Sequence, residues 1–282
     1  QINISENSLN NKNSIIINKY RIHQIKKINV YTNNFLSLSD ENLKNPVVYD
    51  SINIFSKGKL RYKPENFINL ISFKKGDNYS DIQRSKTIKQ LNNLENFQYP
   101  SVSYNYLEGS KNQLEANILL NPKKRFSLGF GFDLKHSNIE DIGIAFATSF
   151  TSRNIFQGAE RLEISSRGTI GKSGNTTISE YGIDVRLKFP RLFIPISSKK
   201  LLPLEYNPNT YISLGTSKQT NIGLDRQSFK FDINYDWLNK NDKKINLGLL
   251  NIELVNNKNS INYFNIYTNS YNSINSIAIN SN

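Results

Sequence analysis

From Phe126 onward the chain alternates apolar and polar residues with a period of two. That pattern restricts it to β-strands with one apolar face and one polar face. Phe126, Leu128, Phe130, Phe132 and Leu134 are separated by Ser127, Gly129, Gly131 and Asp133. Ile142, Ile144, Phe146, Thr148 and Phe150 repeat the pattern, as do Tyr181, Ile183, Val185, Leu187 and Phe189. Phe229, Phe231, Ile233, Tyr235 and Trp237 repeat it again, and weaker strands fit 162–170, 211–216 and 245–254. The expectation is about seven strands. A soluble β-sandwich would alternate as well. These strands, however, run to about ten residues, the length a tilted membrane strand needs, against about 5–6 in ordinary sheets. Their polar face mixes glycine, small residues and charges of both signs, which suits a watery lumen. No run of about 18 apolar residues exists, so a transmembrane helix is not expected. The mean hydropathy of −0.52 does not exclude a membrane wall, because only alternate residues of a barrel strand face lipid.

Before Pro122 the pattern differs. Residues 1–18, rich in Asn and Ser, read as a leader or the remnant of a preceding domain. Ile22, Ile25, Ile28 and Val30 lead into Tyr31 as a strand. A long polar connection is expected from Thr32 to Asp50, then a short strand at Ile52, Ile54 and Phe55. Pro64 suits a first helical turn, with Phe67, Leu70 and Ile71 on one face and Gly76 as the stop. Ser80 with Gln83 has the capping-box spacing, and Ile88, Leu91 and Leu94 form the buried stripe of a second helix. Val102, Tyr104 and Tyr106 then pair with Leu114, Ala116, Ile118 and Leu120 across a turn at Glu108-Gly109-Ser110. Strand, two helices and hairpin make an α+β module over 19–122.

Lys and Arg outnumber Asp and Glu by 36 to 23, giving a net charge of +13. The charge is spread along the chain in isolated pairs such as Lys26-Lys27 and Lys123-Lys124. It therefore reflects a Lys-, Asn- and Ile-rich composition rather than a nucleic-acid surface, and it leaves open contact with anionic headgroups. There is no Cys and no Met; residue 1 is accordingly not expected to be a translation start, and Gln1 suits the first residue after signal-peptide cleavage. His23 and His136 stand far apart, without acidic or thiol partners at ligand spacing. Gly129-Phe130-Gly131 matches no phosphate loop. Glu160 and Glu163 read as a turn residue and a lumen-facing residue, not an acid pair. No catalytic, metal or cofactor site is expected.

The order of parts resembles the BamA/TamA family of outer-membrane assembly proteins. Tyr62-Lys63-Pro64 with Phe67, then Lys75-Gly76-Asp77-Asn78-Tyr79-Ser80, then Thr87, Leu91, Leu94 and Phe97, look like that family's POTRA domain. Arg153-Asn154-Ile155-Phe156-Gln157-Gly158-Ala159-Glu160 resembles its turn between barrel strands two and three. Phe189-Pro190-Arg191-Leu192 resembles the end of strand four, and Tyr235-Asp236-Trp237 the end of strand six. The likeness covers roughly Tyr20 to Phe264.

The resemblance implies a POTRA module followed by all-β antiparallel transmembrane barrel strands over 123–282. Family barrels have about sixteen strands, an even count like other single-chain bacterial barrels, so about seven imply a truncated or split chain. It further implies non-enzymatic insertion or translocation of proteins, with the barrel in the outer membrane and the module in the periplasm. The partners would be membrane lipids, unfolded outer-membrane clients and accessory assembly subunits; no nucleic acid and no cofactor are implied. Clients would add as strands to an edge formed by Ser101, Val102, Ser103, Tyr104 and Tyr106. The lateral-gate strand would be Arg125, Phe126, Leu128, Gly129, Phe130, Gly131 and Phe132. Arg153, Asn154, Phe156, Gly158 and Glu160 would form the family-like turn. A two-partner-type secretion pore and an inactive remnant are the alternatives.

Overall fold

In the computed structural model, residues 22–32, 46–136, 142–173, 176–193, 206–221, 224–239 and 243–259 are described. The leader expected at 1–18 lies outside them. The chain divides into two compact units, Gln1–Pro122 and Lys123–Asn282.

The first unit is a five-stranded mixed sheet in the order β2-β3-β1-β5-β4. Its strands are β1 (Gln24–Tyr31), β2 (Val47–Tyr49), β3 (Ile52–Phe55), β4 (Phe97–Tyr106) and β5 (Gln113–Pro122). Two helices, α1 (Pro64–Ile68) and α2 (Asp81–Asn93), separate β3 from β4. Central β1 runs parallel to β3 and β5, placing Ile28 opposite Ile52 and Ala116, and Val30 opposite Ile54 and Ile118. These residues, with Val102, Phe67, Phe73, Leu91 and Leu94, are the buried core. Ser80 caps α2 by accepting from the Gln83 N–H at 3.5 Å. Gly109, with φ +76°, supplies the left-handed residue between β4 and β5.

Three expectations need correction here. The stretch 32–50 is not all connection, because β2 pairs with β3 through a two-residue turn. Both turn residues, Asp50 and Ser51, have positive φ, as a type I′ hairpin requires. The first helix does not reach Gly76: Leu70 N–H donates to the Phe67 carbonyl at 3.1 Å, Asn69 Nδ2 donates to the Glu65 carbonyl, and Ser72 N–H donates to Thr87 Oγ1 instead of continuing the helical ladder. Leu70 and Ile71 are buried, but beyond the helix. Finally, the buried face of α2 is Thr87, Gln90 and Leu91; Ile88 is half-buried.

The second unit is a seven-stranded antiparallel sheet in the order β12-β11-β10-β9-β8-β7-β6, each strand beside its neighbours in sequence. The strands are β6 (Phe126–Lys135), β7 (Ile142–Arg153), β8 (Arg161–Ser173), β9 (Thr176–Phe189), β10 (Asn209–Thr220), β11 (Leu224–Leu238) and β12 (Lys244–Asn259). They run from 10 residues in β6 to 16 in β12. One irregularity, between Ile233 and Asn234 of β11, makes Leu249 an extra residue in β12.

Candidate functional site

Directly paired residues on neighbouring strands point to the same face, so the registers fix both faces of the seven-stranded sheet. One row reads Leu128, Phe150, Ile164, Val185, Leu214, Phe231 and Ile252 across β6 to β12, apolar throughout. The row below starts at Phe126 and continues through Ser152, Leu162, Leu187, Ile212, Ile233 and Leu250. Between them, on the opposite face, runs Ser127, Thr151, Glu163, Arg186, Ser213, Asp232 and Asn251. In these rows the two faces stay separated across all seven strands, whereas beyond the band Lys172, Lys218 and Gln227 share the apolar side.

The apolar face is largely uncovered, most of all on β6, while at one end Phe189 and Tyr235 are buried. Phe130 is 80% exposed, Leu134 76% and Leu128 69%, whereas Ile25 and Ile118 of the first unit are fully buried. The apolar band also runs obliquely. It ends at Leu134 in β6, but at Leu254 in β12, which lies on the row of Phe130. A slip of about four residues, ~14 Å over six strand spacings of ~4.8 Å, is a slant of about 25°. From Phe126 to Leu134 is ~27 Å along the strand, and thus about 25 Å across the band, the height of the apolar belt of an outer-membrane barrel. The face covers roughly 800 Å², more than the largest apolar patch of a typical soluble monomer.

The polar face carries paired charges. Arg167 bonds Asp184 and lies 3.8 Å from Glu180. Glu253 receives Arg226 at 3.2 Å and Lys230 at 3.5 Å, and Asn251 donates to Asp232 at 2.6 Å. The Arg167 guanidinium lies across Gly182, where a Cβ would stand 3.2 Å from it. Asp184 likewise lies over Gly215, where a Cβ would meet its carboxylate at 2.6 Å.

The turn between β7 and β8 is built around Glu160, whose side chain is fully buried. Its carboxylate accepts from Phe156 N at 3.2 Å, Gly158 N at 2.9 Å and Arg191 Nη2 at 2.7 Å. Burial opposes its ionisation, but hydrogen bonds from its own main chain, Arg191 and Gly158 outweigh that and hold the carboxyl below its usual range. Asn154, Gln157 and Ala159 take positive φ, and Asn154 Oδ1 accepts from Ala159 N at 3.1 Å. A Cβ on Gly158 would lie 2.1 Å from the Glu160 carboxylate, so only glycine fits. Arg191 belongs to the β9–β10 connection, and the network continues from it. Its carbonyl accepts from Thr210 Oγ1, which in turn accepts from Phe193 N, while Tyr235 Oη donates to the Phe193 carbonyl.

The edges are the remaining features. Among the described residues β6 pairs with β7 alone and β12 with β11 alone. The expected gate residues Phe126, Leu128, Phe130 and Phe132 lie on the apolar face of β6, and Gly129 and Gly131 on its polar face. Arg125 immediately precedes the strand. A Cβ at Gly131 would meet nothing closer than 3.8 Å, so available space does not require glycine there; at Gly129 it would meet Ser149 Oγ at 2.6 Å. Ser101, Val102, Ser103, Tyr104 and Tyr106 lie in β4, an outer strand of the first sheet. The register of β4 breaks between Gln98 and Ser101, and the Val102 carbonyl is already taken by Arg84 Nε at 3.1 Å. The other outer strand is β2, whose Val47, Val48 and Tyr49 are all exposed.

No protein-family model and no curated protein matches this sequence. Among solved structures the chain is similar to BamA from Haemophilus ducreyi lacking POTRA domains 1–3, with TM-score 0.33, 10% identity, and coverage of 85% of this chain and 48% of that one. It is also similar to CdiB from Acinetobacter baumannii, with TM-score 0.32, 10% identity and coverage of 91% and 65%. For CdiB from Escherichia coli the values are 0.27, 8%, 92% and 59%. The chain thus spans between 48% and 65% of the length of these proteins. At such scores the likeness carries no argument of its own, and the functional reading rests on the registers and faces described above.

Residue patterning did not reveal the pairing of Arg191 with Glu160, 31 residues apart. It also missed the β2 edge. The signal for β2 was present in Pro46-Val47-Val48-Tyr49, a short β-prone run just after a proline. Among the described residues no helix is long and apolar enough to cross a membrane, which leaves crossing by strands untouched.

Proposed function

We propose that this chain is part of an outer-membrane protein that inserts proteins into, or moves them across, that membrane. Its seven-stranded sheet would be barrel wall, and its first unit a periplasmic POTRA-like module. The observation that carries this reading is the largely uncovered apolar face, about 25 Å tall, kept in register across seven strands over a charged opposite face. A soluble sheet of that design would leave the face in water, where each apolar side chain costs about 1.5–3 kcal/mol relative to burial. In lipid the same face is satisfied, and the polar face lines an aqueous lumen.

Client chains would then be handled by main-chain pairing. The exposed β2 edge offers an incoming extended segment both backbone groups and apolar side chains, and the Ser101–Tyr106 stretch of β4 offers a second, partly occupied edge. Strand β6, bordered on one side only among the described residues, would template a client strand within the membrane, its glycines easing separation. Client folding and lipid burial supply the free energy, so no nucleotide or metal is required.

The test is reconstitution of the protein in phospholipid vesicles, with urea-unfolded outer-membrane barrels presented from outside. Clients should acquire their heat-resistant, fast-migrating form sooner in vesicles that carry the protein. No acceleration for any barrel client, with release of one dedicated substrate across the vesicle wall, would replace insertion by secretion.

A further inference from the structure

We infer that Lys123, Lys124 and Arg125 form a docking site for anionic phospholipid headgroups at the border of the apolar face. The inference rests on the membrane reading above and goes beyond it in naming a lipid class and its residues. The Arg125 guanidinium lies 5.2 Å from the ring centre of Phe126, the residue at which the apolar band begins in β6. Phe126 is 54% exposed and stacks on Phe150 at 5.9 Å, so the cation sits where an apolar wall gives way to a headgroup layer.

The backbone that displays these charges is held in place. Arg153 Nη1 donates to the Lys124 carbonyl and to Ser127 Oγ, each at 3.1 Å, and the Arg153 N–H donates to the Arg125 carbonyl at 2.8 Å. Among the described residues no carboxylate pairs with Lys123, Lys124 or Arg125. The carboxylates of the adjoining turn and strand, Glu160 and Glu163, are taken by Arg191 and Arg161. Elsewhere on the sheet Arg167, Arg226, Lys230 and Lys244 have acidic partners, and Lys135, Lys172 and Lys218 lack one among the described residues but stand singly, so the run of three adjacent cations is what sets 123–125 apart. Lys123, Lys124 and Arg125 are therefore un-neutralised, and a phosphodiester headgroup above Phe126 supplies the missing charge.

The experiment uses the full chain in co-flotation with phosphatidylcholine vesicles that contain or lack phosphatidylglycerol. Wild type is compared with K123Q/K124Q/R125Q and with K59Q/K75Q/K111Q, which removes equal charge from exposed lysines of the first unit. Each cation near an anionic surface is worth about fivefold, so the first variant should lose roughly a hundredfold of its preference for anionic vesicles at low salt. The second should keep it. Quenching of Trp237 by brominated phosphatidylcholine should be alike in all three proteins, since Trp237 lies on the apolar face beside Ile245. Equal loss in both variants, or no anionic preference with Trp237 quenched, overturns the headgroup site alone. Trp237 left unquenched in every vesicle overturns the membrane reading, and this site with it.

Discussion

Glu160 and Gly158 tie the β7–β8 turn to Arg191, and each contributes something different. Glu160→Gln keeps the shape but removes the charge from a buried, hydrogen-bonded centre, and should cost about 2–3 kcal/mol. Gly158→Ala forces a methyl into the carboxylate and should cost about 1–3 kcal/mol from overpacking. Urea midpoints in detergent check both. The pH dependence follows from the lowered carboxyl: the stabilisation is complete above the unfolded-state value and is lost as pH falls through the folded-state value. Stability should therefore be flat at neutral pH and fall only in acid below the ordinary carboxylate range, and Glu160→Gln should flatten that acid limb. On the apolar face, Phe130→Arg should cost on the order of 2–4 kcal/mol if Phe130 meets the bilayer midplane, while Ser149→Arg on the polar face should cost much less. Equal penalties would show that the two faces share one environment. Sequence spacing made Phe130 legible, because alternation needs only neighbours in the chain. It could not disclose Arg191 as the partner of Glu160, because that pairing depends on where two strands end.

Strands were legible in proportion to how cleanly they alternate. β6, β7, β9 and β11 announce themselves by period two, and even the weaker β8, β10 and β12 fall close to their expected positions. β2 does not alternate: all three of its side chains are exposed, and it exists because the Asp50-Ser51 turn folds it onto β3. The first helix was misjudged because Phe67, Leu70 and Ile71 keep helical spacing although the chain leaves the helix after Ile68. That correction of the sheet's edges leads to a prediction. With photo-crosslinkers at Val48 and at Ser103, an unfolded client should couple more strongly from Val48, where the edge is exposed, than from β4, where Arg84 holds the Val102 carbonyl. Stronger coupling from Ser103 would favour β4 over β2 as the client edge.

At the scale of the whole chain, two compact units, one with a buried core and one a sheet with an uncovered apolar face, should melt separately. A fragment of 19–122 should unfold cooperatively with mixed α/β circular dichroism, and a random-coil spectrum would sink its standing as a domain. The sheet of the second unit has a further property that follows from counting alone. Among the described residues the sheet has seven antiparallel strands, an odd number, so its outer strands β6 and β12 point the same way along it. A wall of that kind has handed ends. Brought side by side in one orientation, two copies would meet at seams where neighbouring strands run parallel. Any complement that closes the wall with antiparallel seams throughout must itself bring an odd number of strands, and so the parity of this sheet selects its counterpart before any side chain is consulted.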